Sequence, residues 1–115
     1  MSYGFMMFMA AASVRSPDDL SEETTEFLTP GVEIQAQLSR LYPAIDWHRS
    51  EAQRLIFGSL EGQDGWYEFV LYEDAHKSFS INTSLGAKTR WLIPEICEAL
   101  GLVAFDRQAY ALIGI

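Results

Sequence analysis

The sequence predicts an α+β domain: a mainly antiparallel sheet with helices packed on one face. Three observations carry this expectation. An apolar run opens the chain at Tyr3 to Ala10, three strand-like segments follow one another between Arg54 and Asn82, and stretches with helical spacing of apolar residues stand before and after them. A doubly wound sheet would require strands and helices in regular alternation, which the middle of the chain lacks. The expected order is β-α-β-β-β-α-β, and 115 residues allow one domain spanning residues 1–115.

Tyr3 to Ala10 is apolar at nearly every position and reads as a central strand covered on both faces. The same segment has features of a secretory signal, with Phe5 to Met9 as a short apolar core and Ala10 to Ala12 as small residues at a cleavage site. No Lys or Arg precedes it, so the segment is expected to belong to the fold. Ser16-Pro17-Asp18-Asp19 combines an N-cap residue, Pro at the first helical position and acids in the first turn, which predicts a short helix anchored only by Leu20, Phe27 and Leu28. Beyond Thr29-Pro30-Gly31, a stripe of Ile34, Leu38, Leu41 and Tyr42 predicts a helix that stops before Pro43.

Arg54 to Leu60 and Trp66 to Tyr72 flank the turn residues Glu61 to Gly65 and predict a hairpin. Phe79 and Ile81 alternate with Ser80 and Asn82 in a third strand, completing a three-stranded meander. Ile93, Ile96, Cys97 and Leu100 then fall at i, i+3, i+4 and i+7, a stripe expected to face the sheet, with Gly101 placed to end the helix. Pro94 is tolerated only near a first turn, so the regular helix should begin close to Trp91 or kink there. Leu102 to Phe105 and Tyr110 to Ile115 read as strands about an Asp106-Arg107-Gln108 turn.

Sixteen Asp and Glu against eight Lys and Arg give a formal net charge of −8. Phosphate backbones and anionic membrane surfaces would be repelled, so neither nucleic acid nor membrane is an expected partner, whereas a basic protein is. The charge is patterned. Asp18, Asp19, Glu22, Glu23, Glu26 and Glu33 fall in a stretch without a base, as do Glu61, Asp64, Glu68, Glu73 and Asp74. Such clusters are ordinary solubilising surface in most proteins; next to aromatic rings they also suit a docking face, with acids steering and rings anchoring. Along Trp66 to Tyr72, strand parity puts Trp66, Glu68, Val70 and Tyr72 on one side, and Glu68 marks that side as the outer one. The expected partner-binding residues are therefore Glu61, Asp64, Trp66, Glu68, Tyr72, Glu73 and Asp74, together with Asp18, Asp19, Glu22, Glu23 and Glu26.

No catalytic or cofactor site is expected. His48 with Glu51 is one ligand pair and His76 sits in a polar turn, short of the three or four converging ligands a zinc site needs. Cys97 lies on an apolar stripe, where a thiol is inert, and as the single cysteine it forms no internal disulfide, which makes the cytoplasm the default compartment. The sequence has no Gly-x-Ser-x-Gly elbow, Walker loop or dinucleotide fingerprint. No apolar run reaches the roughly 20 residues of a membrane-spanning helix.

The opening Met1 to Phe5, the helical stretch Trp91 to Gly101 and the ending Gly101 to Gln108 together resemble small, acidic bacterial proteins, including immunity proteins of polymorphic toxin systems. In those proteins a terminal helix is followed by a strand ending in an Asp-x-Gln turn. The resemblance covers about a third of the chain, and Ala109 stands where such turns often continue with Thr. It implies a toxin-neutralising binder and assigns no site residue. The first reading is thus a non-catalytic protein-binding domain for a basic partner. A second is a small-molecule binder or minor enzyme with a cleft near Trp47, His48, Asp74 and His76, and a third is a domain that self-associates as a homodimer.

Overall fold

The opening apolar run becomes β1 (Ser2–Ala10), and strands from the second half of the chain close on it from both sides. The computed structural model describes residues 2–62, 65–84 and 92–114; Asp64 and Trp91, both singled out above, lie outside them. After β1 come a single 3-10 turn at Pro17–Asp19, the two-residue strand β2 (Thr25–Glu26) and helix α1 (Gly31–Leu41). Strands β3 (Asp46–Ser50), β4 (Leu55–Gly62), β5 (Gly65–Tyr72) and β6 (Ser78–Ser84) follow, then helix α2 (Leu92–Leu100) and strands β7 (Val103–Asp106) and β8 (Ala111–Ile113). Every pairing is antiparallel, in the order β3-β4-β5-β6-β1-β7-β8, with β2 joined to the last two residues of β1. The α+β class and the antiparallel sheet agree with the expectation.

One side of the sheet is sealed by both helices. Phe5, Met7, Tyr67, Phe69, Leu71, Phe79, Ile81 and Ala104 meet Ile34 and Leu38 of α1 and Leu92, Ile93, Ile96 and Cys97 of α2 in one continuous core. The α2 stripe faces the sheet as its spacing predicts, except that Leu100 is only half-buried at the rim. Pro94 falls in the first turn of α2, where its missing N–H costs nothing. Gly101, at φ +68°, ends the helix, and the Leu102 N–H reaches back to the Cys97 carbonyl at 2.9 Å, closing a Schellman turn. Gly58 lets β4 pass under the Trp47 ring, because a Cβ there would stand 2.6 Å from the indole.

Three expectations are corrected and one, the terminal pair of strands, holds. The meander has four strands, because Asp46–Ser50 adds β3 at the edge of the sheet, where a strand with one apolar ring is sufficient. The two strands expected about Asp106 form the terminal β7–β8 hairpin, turned by Asp106, whose Oδ1 accepts the N–H groups of Gln108 and Ala109, both at 3.1 Å. The Ser16–Asp19 segment makes only one 3-10 turn; of its proposed anchors Leu28 is buried, Leu20 half-buried and Phe27 65% exposed. β1 is central in the sheet but sealed on one face only, since Met6 and Phe8 are half-buried on the other. Among the described residues, no helix is long and apolar enough to cross a membrane.

Candidate functional site

The face of the sheet away from the helices is built from the alternate residues of the same strands. Because opposed residues of an antiparallel pair share a face, the register aligns its side chains in rows. One row runs Asp46, Ser59, Glu68, Asn82 and Gly4 across β3, β4, β5, β6 and β1. The next runs His48, Phe57, Val70, Ser80, Met6 and Phe105, and Glu61 stands opposite Trp66 beyond the first. Asp46, Glu61 and Glu68 therefore gather at one end of this face, Asp46 and Glu68 roughly 10 Å apart across two strand spacings. The small polar side chains of β6 separate an aromatic half on β3 to β5 from an apolar half on β1 and β7.

Trp66 is 39% and Tyr72 37% exposed, and Glu68 between them is exposed, so the parity argument places all three on the open side. Asp46, Glu61 and Glu68 enter neither ion pair found among the described residues, and no hydrogen bond engages their carboxylates there. The sequence reading missed Asp46 because β3 itself was missed.

The other predicted acids divide differently. Arg54 donates to the Asp74 carboxylate at 2.8 Å, and the Arg49 guanidinium lies 4.0 Å from the Glu73 carboxylate. Both acids are thus answered by bases from another segment, which leaves them less able to attract a partner. In the first cluster Asp18 accepts the Tyr110 hydroxyl at 2.6 Å, and this bond raises the Tyr110 phenol above its ordinary range. Asp19 accepts the N–H groups of Arg15 (2.9 Å) and Ser16 (3.1 Å), which hold its carboxyl below the usual value. Glu22, Glu23 and Glu26 are exposed.

The cleft expected near Trp47, His48, Asp74 and His76 does not assemble. Adjacent residues of a strand point to opposite faces, so Trp47 packs on Phe69 beneath the helices and donates its indole N–H to Ser39 Oγ at 2.9 Å, while His48 stacks on Phe57 outside. His76 stacks on Tyr72 at 3.8 Å between ring centroids, and the small hollow it shares with Asp74 includes neither Trp47 nor His48. Among the described residues, no three His, Cys, Asp or Glu side chains converge as metal ligands would. Cys97 is buried, its thiol pushed up to about 11 by loss of solvation. Tyr42, raised by burial and by its hydrogen bond to the Glu95 carboxylate, ties α1 to α2.

No protein-family model matches the sequence, and no curated protein matches it either.

Proposed function

We propose that the chain is a non-catalytic protein-binding domain whose open sheet face receives a basic protein, as an immunity protein or inhibitor would. The observation that carries this reading is the set of uncommitted carboxylates of Asp46, Glu61 and Glu68 beside the exposed Trp66 ring. Aligned acids on a surface raise the local concentration of a cationic partner and speed encounter, whereas an aromatic ring supplies the contact area that slows escape. The resemblance to toxin-neutralising proteins favours the same partner class. A single buried thiol suits a protein that works in a reducing cytoplasm.

The test is surface-binding kinetics against the product of the neighbouring gene at low and high salt. Reversing Glu61 and Glu68 to Lys should slow association about tenfold at low salt and flatten its salt dependence. Trp66→Ala should act mainly by speeding dissociation. Unchanged rates in both variants would remove this face from the binding reaction.

A further inference from the structure

At the other half of the open face, the chain between β1 and α1 folds back over the sheet and leaves an open groove of about 420 Å³. Its apolar lining is Met6, Phe8, Pro17, Leu20, Phe105 and Tyr110, brought together from three separate segments. That volume falls within the range of sites that take a ligand group. The rim is anionic. Glu22 lines it, Asp18 is bonded to Tyr110 at its end, and Asp19, Glu23 and Glu26 follow on the same segment. Lys77 also lines the groove, donating its ammonium to the Glu22 carbonyl at 2.7 Å and lying 5.5 Å from the centre of the Phe27 ring; its one positive charge is outnumbered by the five acids of the segment.

Tyr110 adds an independent observation. It closes the β7–β8 turn at φ +51°, a left-handed position that such loops ordinarily give to Gly or Asn. It is 58% exposed, its ring edge set against Phe105 at 5.6 Å between centroids and its hydroxyl held by Asp18. A bulky ring kept at a strained backbone position, with most of its surface in water, contributes little to the core. Strain of this kind concentrates at ligand clamps.

We propose that this groove seats an apolar side chain of a basic amphipathic protein segment, with Asp18 and Glu22 receiving the neighbouring Lys or Arg and Tyr110 closing over the seated side chain. An apolar floor with an anionic rim selects an apolar body beside a cation and rejects the same body beside an anion. The site is separate from the Trp66 surface and does not depend on it.

The test is fluorescence anisotropy of the full chain with a labelled amphipathic helix of leucine and lysine. Two control peptides replace lysine by glutamate or leucine by serine. The leucine-lysine peptide should bind, and both controls should bind at least about tenfold more weakly. Leu20→Ser and Tyr110→Asn should each weaken binding about tenfold, Asp18→Asn with Glu22→Gln should weaken it at low salt, and Trp66→Ala should leave it unchanged. Tyr110→Asn relieves the positive φ, so its effect on binding is read in a variant that keeps its fold even if Leu20→Ser does not. Equal binding by the wild type, Leu20→Ser and Tyr110→Asn would overturn the proposal, as would equal binding of the glutamate peptide or no binding at all. Loss of binding in Trp66→Ala alone would also overturn it, while supporting the surface proposed above.

Discussion

The two faces of the sheet are made from the same strands and differ in what their side chains do. Tyr67, Phe69 and Leu71 of β5 and Phe79, Ile81 and Thr83 of β6 are buried under the helices. Their immediate neighbours Trp66, Glu68, Tyr72, Ser80 and Asn82 are exposed or half-buried. Strand parity thus separates residues that hold the fold from residues left available to a partner, one position apart. Substitution on the covered side should be read in stability, and on the open side in binding.

The largest expected effect comes from truncating the covered side. Phe69 is fully buried and touches Trp47, so Phe69→Ala should cost about 3 to 5 kcal/mol in a denaturant titration. A loss below about 1 kcal/mol would mean that this face collapses freely and that the contrast between faces is weaker than its burial indicates.

A second test sharpens the contrast through pH. Burial raises the Cys97 thiol from 9.0 to about 11, so the fold favours its neutral form. Below pH 9 both native and unfolded chains keep the proton and the group has no effect on pH dependence. Between pH 9 and 11 the unfolded chain releases the proton and the native chain holds it, so stability should fall by roughly 1.4 kcal/mol per pH unit from this group. The phenols of Tyr42 and Tyr110 are raised too, so the contribution of Cys97 is the difference between wild type and Cys97→Ala. Parallel stability curves for the two proteins above pH 9 would show that the thiol is solvated.

The smallest effect belongs to the open side. Trp66→Thr keeps a residue suited to a strand and should change stability by less than about 1 kcal/mol. A loss comparable with that of Phe69→Ala in the same titration would make Trp66 a core residue and remove the reason for reading its face as a binding surface.

Local pattern was enough for the main elements. The 3.6-residue spacing of Ile34, Leu38 and Leu41 and of Ile93, Ile96 and Leu100 marks both helices, and the polar position Glu68 fixes which side of β5 faces outward. β3 escaped because Asp-Trp-His-Arg-Ser carries one apolar ring, and an edge strand takes much of its stability from the partner it pairs with. The acids between Glu61 and Asp74 looked alike in sequence, yet Glu73 and Asp74 meet arginines about twenty positions earlier while Glu61 and Glu68 do not. Such pairings depend on register. The groove draws on three distant segments, so its composition is visible only after folding.

The central place of β1 also sets a schedule for synthesis. Tyr3 on β1 donates to Asp106 on β7 across 103 positions, and β6, on the other flank, begins only at Ser78. At roughly 5 to 20 residues per second, a ribosome needs on the order of 5 to 20 s to produce the partners of an apolar strand it made first. During that interval β3, β4 and β5 can pair locally, but β1 has only the two-residue β2 as a native neighbour. Folding should therefore be limited by a late docking of the first strand, and the nascent chain is most open to chaperone capture or to misassociation through Tyr3 to Ala10 while that strand waits.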